Sequence, residues 1–187
     1  MQPPDPSFRA GWWSQARAVP AVNYDARPQG EVIRLLVVHA ISLPPECFGG
    51  PGVEQLFTNT LDPEAHPYYA SIQHLRVSAH FYIRRDGEVI QFVSTDDRAW
   101  HAGVSCWKGL ERCNDFSIGI ELEGSDYQLF ENIQYLKLVE LVQVLRLAYP
   151  EIEDIVGHSD IAPGRKTDPG PFFDWMYFHH LFENKVF

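Results

Sequence analysis

The sequence predicts a mixed α/β domain with one central β-sheet flanked by helices. Three observations predict this class: apolar runs rich in branched residues, an Asp-Gly pair between two apolar segments, and one long segment with helical spacing of its apolar residues. Strand and helix signals on one chain are typical of a sheet with helices packed on it. At 187 residues, the chain has the length of one domain with a sizeable core.

Composition and charge limit the classes of partner. Hydrophobic residues make up 45% and charged residues 21% of the chain, as in an ordinary globular domain. The formal net charge is −10, and basic residues occur only in short groups such as Arg84-Arg85. We therefore predict no nucleic-acid partner. No stretch approaches the roughly 20 apolar residues of a membrane span, so no membrane partner is predicted either.

Cysteine usage and the first residues bear on the compartment. Cys47, Cys106 and Cys113 are an odd number without metal-ligand spacing, which favours reduced thiols in a cytosolic protein, with a Cys106–Cys113 disulfide as the alternative. The N-terminal residues MQPPDPSFRAGWW contain no apolar segment of the secretory type. We expect a cytoplasmic monomer.

The first third of the chain predicts a tail, a strand and a short helix. Residues 1–10 are rich in proline and are predicted as a flexible tail, with the domain covering 11–187. Residues 34–39, RLLVVH, form a short apolar run that predicts a buried strand ending on His39. Prolines and glycines then predict a loop, followed by a short helix over 53–58 with Pro51 near its start.

The middle of the chain predicts a hairpin and a second buried strand. Segments 80–85 and 88–93 flank Asp86-Gly87, a strong signal for a hairpin. Residues 117–123 alternate, so that two isoleucines and a leucine share one strand face while Gly119, Glu121 and Glu123 share the other.

The last third predicts a long helix and a strand that leads into a rigid loop. Apolar residues at helical spacing predict a helix over 131–149, which Pro150 ends. Residues 156–158 predict a strand end. The following loop, SDIAPGRKTDPGP, contains several prolines that restrict its backbone.

Two histidines and one aspartate are candidate metal ligands. His39 and His158 each end an apolar run and open a proline-containing loop, so each side chain can project into a cleft. Asp168 lies in the loop after His158. Two imidazoles, a carboxylate and an open position for water are a zinc donor set found in hydrolases. Two core histidines and a loop aspartate with other partners are the alternative that spacing alone leaves open.

Five motifs, in order along the chain, resemble a known enzyme family. They are HAISLPP, VSAHFYIRRDGEVIQFV, RAWHAGVS, CNDFSIGIELEG and GHSDIAPGRKTDPGP. Together they resemble the type 2 N-acetylmuramoyl-L-alanine amidases, which share the peptidoglycan-recognition fold, and most of all the AmpD-type branch that acts on 1,6-anhydromuropeptides. The resemblance extends from about Gly11 to Trp175.

The resemblance implies a reaction and a set of site residues. It implies zinc held by His39, His158 and Asp168, and catalytic roles for Glu121 and Lys166. The implied reaction is hydrolysis of the amide bond between (1,6-anhydro-)N-acetylmuramic acid and L-alanine, in cytosolic peptidoglycan recycling. The implied partner is therefore a small molecule, an anhydromuropeptide.

Several residues in the motifs are candidates for binding substrate or orienting the ligands. A substrate with free carboxylates requires local positive charge on a net-acidic protein, and an aromatic ring can pack against a sugar or peptide. The candidates for substrate binding are Arg76, Trp100, Arg112 and Arg165. Surface or core positions are the alternative for each. His80 and His101 are candidates for orienting the metal ligands.

Two positions depart from the family pattern. Ala40 stands where this branch usually has asparagine, and Gly164 where an acidic residue is common.

Three other functions stay open. They are an amidase of intact peptidoglycan (exported or from a phage), a peptidoglycan-binding module without catalysis, and a non-haem iron oxygenase, which also uses two histidines and a carboxylate.

Overall fold

A computed structural model describes residues 8–184 of the chain. The strands in that range are β1 (Phe8–Arg9), β2 (Trp12–Trp13), β3 (Arg17–Ala18), β4 (Tyr24–Ala26), β5 (Leu35–Ile41), β6 (Phe81–Ile83), β7 (Val89–Gln91), β8 (Asp97–Ala99), β9 (Cys106–Trp107), β10 (Leu110–Glu111), β11 (Ser117–Glu123) and β12 (Asp154–Gly157). The α-helices are α1 (Gly52–Phe57), α2 (Pro67–Ile72), α3 (Asn132–Ala148), α4 (His158–Ile161) and α5 (Trp175–Glu183).

One six-stranded mixed sheet organises the domain. Its strand order is β12-β5-β11-β6-β7-β3. The four strands β12, β5, β11 and β6 are mutually parallel, whereas β7 runs antiparallel to β6. Three two-stranded pairs, β1–β2, β4–β8 and β9–β10, lie outside this sheet. The predicted fold class, a central mixed sheet flanked by helices, is confirmed.

The main core lies between one face of the sheet and two helices. The branched residues of β11 that were predicted to share a face, Ile118, Ile120 and Leu122, are buried in the same cluster as the apolar side of α3 and residues of α5. The buried residues of α3 in that cluster are Leu138, Val139, Leu141, Val142 and Leu145. Burial of this helical stripe is the main stabilisation that holds α3 on the sheet.

The opposite face is apolar at one end and polar at the other. Leu35 and Val37 of β5 pack there against a smaller cluster that includes Trp107 and Phe116. Further along the same face, His39 pairs in register with Glu121 of the parallel strand β11. Since side chains paired in register on neighbouring strands share a face, imidazole and carboxyl group lie side by side at the carboxyl ends of the parallel strands.

The predicted hairpin and long helix are confirmed, with small differences at their ends. The hairpin joins β6 and β7 through residues 84–88, and Gly87 in this turn adopts a φ of +88°. Glu131 lies just before α3, and Gln134 accepts a hydrogen bond from its backbone N–H. The side-chain amide of Gln134 donates to the carbonyls of Ile83 and Glu123, which fixes the start of α3 to two strand ends.

Two sequence expectations are corrected. Phe8 and Arg9, predicted within the tail, pair with Trp12 and Trp13 in a small hairpin; residues 1–7 lie outside the described residues. His39 does not end its strand, because β5 continues to Ile41. The pairing of β5 with β11 extends as far as Ile41, which the polar residue at position 39 did not reveal.

Other expectations concern the strand end before His158, the cysteine thiols and membrane-spanning helices. His158 is the first residue of α4 and follows directly on β12, as the predicted strand end implied. Cys47, Cys106 and Cys113 all carry free thiols. Among the helices within residues 8–184, we found none whose length and apolar character would allow it to cross a bilayer.

Candidate metal centre

The candidate site lies where three neighbouring strands end. In the order β12-β5-β11, these strands bring His158, His39 and Glu121 to one edge of the sheet. Asp168 reaches the same point from the loop after α4, where its backbone carbonyl accepts a hydrogen bond from the N–H of Ser159 at 2.9 Å. Residues far apart in sequence thus meet because parallel strands end together.

Three potential ligand atoms converge on one point. Nδ1 of His39 lies 3.0 Å from Nδ1 of His158 and 3.1 Å from Oδ2 of Asp168, and the third side of this triangle is 3.0 Å. Ligands about 2.0–2.1 Å from one tetrahedral ion are roughly 3.3 Å apart, close to these separations. The three atoms therefore lie close enough together to bind one metal ion.

The hydrogen bond made by Nε2 of His158 determines that the other ring nitrogen, Nδ1, is free to bind a cation. Its Nε2 lies 3.0 Å from the carbonyl oxygen of Ala102. Because a carbonyl only accepts, the proton of the neutral ring lies on Nε2, and Nδ1 presents a lone pair toward the carboxylate of Asp168. Two acceptors at 3.0 Å repel each other unless a proton or a cation lies between them. The donor set therefore fits a divalent metal ion.

The charge states of the three residues also suit a metal. Burial lowers the pKa of His39 to about 4, so its ring is neutral at pH 7. For Asp168, burial raises the pKa but the neighbouring imidazoles of His158 and His39 lower it more, and the net pKa is well below the usual range. Neutral imidazole and ionised carboxylate are the forms that bind metals.

We expect the metal-free protein to lose stability as pH falls from about 6.5 toward 4. Burial lowers the pKa values of His39, His80 and His101, so these rings take up protons on unfolding below their usual pKa of about 6.5. Glu121 acts in the opposite sense, since burial raises its pKa. The unfolded state then binds about two more protons, a slope of up to roughly 2.7 kcal/mol per pH unit.

Urea unfolding in the presence of a chelator measures this dependence. The expected result is a free energy of unfolding that decreases steadily between pH 6.5 and 4. A free energy of unfolding that stays constant over this window would contradict the buried, neutral state of the histidines.

The three ligand atoms line a cavity of about 460 Å³. Glu121 and Lys166, the predicted catalytic residues, line the same cavity. The Glu121 side chain is buried, and its Oε2 has no hydrogen-bond partner within the described part of the chain. Its pKa is raised well above the usual value, mainly by burial and further by the charge of Asp168, while Lys166 lowers it. The structure brings all five residues together.

Two of the four predicted substrate-binding residues line the cavity, and two do not. Trp100 and Arg165 line the cavity. Arg112 is exposed, pairs with Asp115 at 3.2 Å and lines a neighbouring depression that also contains Arg165. Arg76 is exposed and donates to backbone carbonyls of its own segment, and it does not appear among the residues that line either space.

Several residues around the site were not predicted from the sequence. The cavity wall includes residues of the loops after β5 and β11, to which the sequence assigned no role: Ser42, Leu43, Pro45, Glu46 and residues 124–127. Asn114 also received none, although its Oδ1 accepts from the backbone N–H groups of His101 and Ala102. Ala40, one of the departures from the family pattern, lines the cavity, whereas Gly164 is exposed with a φ of +75°.

A comparison with protein families decides the class of the chain. The family model described as N-acetylmuramoyl-L-alanine amidase (Amidase_2) matches residues 29–171, a range that contains every residue of the candidate site. The chain belongs to this amidase family. The resemblance inferred from the five motifs and the prediction of an amidase are thereby confirmed.

Relatives and solved structures agree with this assignment. The amidase is 61% identical to the 1,6-anhydro-N-acetylmuramyl-L-alanine amidase AmpD of Enterobacter cloacae over 91% of this chain and 92% of that protein. A crystal structure of a Se-Met AmpD derivative matches with a TM-score of 0.91 at 58% identity, over 93% of this chain and 98% of the other.

A solved complex in the comparison contains a substrate. Escherichia coli AmiD bound to anhydro-N-acetylmuramic acid-L-Ala-D-gamma-Glu-L-Lys matches with a TM-score of 0.58 at 31% identity. The match covers 82% of this chain and 60% of the AmiD chain. The amidase therefore shares its fold with a protein that binds a small muropeptide.

Proposed function

We propose that this amidase hydrolyses the amide bond between 1,6-anhydro-N-acetylmuramic acid and L-alanine in soluble muropeptides, using zinc held by His39, His158 and Asp168. The observation that carries the proposal is the convergence of three ligand atoms, no more than 3.1 Å apart, in a cavity next to Glu121. The names of the AmpD relatives and the ligand of AmiD support this substrate. Cytoplasmic peptidoglycan recycling is the corresponding role.

The donor set favours zinc. Two imidazole nitrogens and one carboxylate oxygen are ligands of zinc in hydrolases, where a further coordination position is left for water or substrate. Zinc held by these three residues would supply Lewis acidity, which would polarise the amide carbonyl and lower the pKa of a water molecule. The chain contributes a buried, neutral His39 and an ionised Asp168, and it orients His158 through the carbonyl of Ala102.

Glu121 is the proposed general base and acid. Its buried carboxyl group has a raised pKa, so it can hold and release a proton closer to neutral pH than an ordinary glutamate. It accepts a proton from the attacking water and delivers it to the nitrogen of the leaving L-alanine. Its register position beside His39 places it next to the proposed metal ligands.

Lys166 is the proposed electrostatic partner of the oxyanion. Its side chain lines the cavity from the loop that carries Asp168. An ammonium group there stabilises negative charge that develops on the carbonyl oxygen. We expect Lys166→Met to lower kcat by about 10²-fold and to leave the zinc content unchanged. Steady-state kinetics and metal analysis measure both, and Lys137→Met on α3 is the matched control; a wild-type kcat in Lys166→Met would refute this role.

Substrate contacts are proposed first for Trp100 and Arg165, because both line the cavity. The indole N–H of Trp100 donates to Asp25, which fixes the ring at the cavity wall. Arg165 also borders the neighbouring depression, where Arg112 is exposed, so a peptide carboxylate lying across both spaces could reach two guanidinium groups. Substrate binding by Arg76 remains a prediction from the sequence, and the exposed position of this residue does not support it.

Mass spectrometry of anhydromuropeptide tests the proposed function. The peptide is incubated with zinc-loaded protein, with chelator-stripped protein and with stripped protein to which zinc is restored. We expect free anhydro-N-acetylmuramic acid and intact peptide only in the first and third samples. Substrate that stays intact with zinc-loaded protein, or equal turnover after stripping, would refute the proposal.

The same assay separates the alternatives. Faster release of peptides from purified sacculi than from soluble anhydromuropeptide would favour an amidase of intact peptidoglycan. Binding of the muropeptide without turnover would favour a binding module. An oxidised product that appears only with ferrous iron and dioxygen would favour the oxygenase.

Compartment and oligomeric state are part of the proposal. We propose a cytoplasmic monomer with a single catalytic domain. Fractionation of the source cells and light scattering test this, and a mass near 21.4 kDa is the expected result for the monomer.

A further inference from the structure

We propose that His101 is a positioning residue for the metal centre: its imidazole holds His39 in the tautomer whose Nδ1 presents a lone pair to the metal. This inference rests on the proposed function in one respect, that His39, His158 and Asp168 are the metal ligands. His101 lines the same cavity, and its ring meets that of His39 edge-on with 5.0 Å between the ring centroids.

A chain of hydrogen bonds with a fixed direction ends on His39. The hydroxyl of Ser117 lies 2.5 Å from the backbone carbonyl of Cys113, which can only accept, so Ser117 donates to it. Nε2 of His101 lies 3.2 Å from the same hydroxyl oxygen. Since the hydroxyl proton is already committed, His101 donates from Nε2 and Ser117 accepts.

The tautomer of His101 then determines that of His39. With its proton on Nε2, neutral His101 has a lone pair on Nδ1, which lies 2.9 Å from Nε2 of His39. His39 therefore donates from Nε2, and its own lone pair lies on Nδ1. That is the atom 3.0 Å from Nδ1 of His158 and 3.1 Å from Oδ2 of Asp168. One backbone carbonyl thus fixes the orientation of a metal ligand through two side chains.

The neighbouring residue performs the same task for the second imidazole. The carbonyl of Ala102 accepts from Nε2 of His158 at 3.0 Å, and Arg165 donates to the same oxygen. The backbone N–H groups of His101 and Ala102 both donate to Oδ1 of Asn114, at 3.1 and 2.8 Å. The dipeptide 101–102 therefore supports both histidine ligands and is itself held by one side chain.

A glycine in β11 makes room for the His101 ring. Glycine weakens the interior of a strand, so its presence there needs a reason such as the close approach of another group. A Cβ atom built on Gly119 would lie 2.4 Å from Cγ of His101, well inside van der Waals contact. The absence of a side chain at Gly119 thus leaves the space in which the His101 imidazole lies against β11.

Three variants test the positioning role through zinc affinity. His101→Leu removes the acceptor for His39, whereas His101→Asn places its Oδ1 near the position of Nδ1 and retains an acceptor. Gln91→Leu is the matched control, because Gln91 is also a buried polar residue but bonds to the backbone of Gly11, Trp13 and Val93, away from the cavity. The dissociation constant of zinc is measured by competition with a chelating dye, with folding monitored by circular dichroism.

We expect His101→Leu to weaken zinc binding by about 10- to 100-fold. His101→Asn and Gln91→Leu should each stay within about threefold of wild type, a range too small to indicate a lost orienting contact. Wild-type affinity in His101→Leu would overturn the proposal. Equal weakening in Gln91→Leu, or in His101→Asn, would overturn it as well, since the loss would then reflect general destabilisation and not the missing acceptor.

A spectroscopic measurement on the wild-type protein keeps the proposal falsifiable if a variant does not fold. Long-range ¹H–¹⁵N correlation spectra of the metal-free protein at neutral pH identify the protonated nitrogen of each ring. We expect a proton on Nε2 of both His39 and His101; an Nε2 without a proton in either ring would overturn the proposal. This readout does not require zinc, so failure of the wild-type protein to bind zinc would refute the proposed function separately.

Discussion

Replacing Glu121 by glutamine is expected to lower kcat by about 10²–10⁴-fold while the zinc content stays at that of the wild type. The amide has nearly the volume of the carboxyl group but cannot carry the transferred proton. The fold should tolerate the change, because Oε2 of Glu121 is buried without a hydrogen-bond partner among the described residues. Steady-state release of peptide from anhydromuropeptide gives kcat, and elemental analysis gives the zinc content.

A matched control separates this effect from a general loss of charge. Glu153→Gln removes a carboxylate from the exposed surface away from the cavity and should leave kcat unchanged. If Glu121→Gln retained more than about a tenth of the wild-type kcat, the residue would not be the general base.

Asp168→Ala is expected to remove both zinc and activity. Apparent zinc affinities of structural sites correspond to roughly 10–16 kcal/mol over four ligands, so one ligand accounts for about 2.5–4 kcal/mol, or roughly 10²–10³-fold in affinity. The loss should be visible here because Asp168 is the anionic member of a set with two buried, neutral histidines. Zinc titration and the muropeptide assay measure the two effects.

Asp168→Cys is the matched variant for this prediction. A thiolate is also a zinc ligand, so this variant should retain zinc more tightly than the alanine variant. Wild-type zinc affinity in Asp168→Ala would show that this carboxylate does not bind the ion.

The arrangement of the sheet and much of the site follow from local sequence patterns. Alternation over residues 117–123 indicated correctly that Ile118, Ile120 and Leu122 face the core. The same alternation placed Glu121 on the opposite face, and parallel pairing brings it beside His39. The hairpin at Asp86-Gly87 and the helix before Pro150 have equally local causes, a positive φ at the turn and an apolar stripe.

Contacts between distant segments could not be predicted in this way. No local pattern indicates that the ring of His101 lies against Gly119, or that Asn114 holds the backbone beside it, because both contacts depend on how the loops fold over the sheet. For the same reason the sequence could not show that Arg76 lies outside the cavity while Arg165 lines it. The sequence predicted that β5 ends at His39, whereas the strand continues to Ile41, because strand pairing overrides the local change to a polar residue.

X-ray absorption at the zinc edge of the reconstituted protein tests the metal centre most directly. We expect one zinc per chain, with two imidazole nitrogens and light oxygen or nitrogen ligands at about 2.0–2.1 Å. The imidazole scattering should fall from two rings to one in His158→Ala. A wild-type spectrum without imidazole ligands, or one unchanged in that variant, would contradict the assignment of His39, His158 and Asp168 as the metal site.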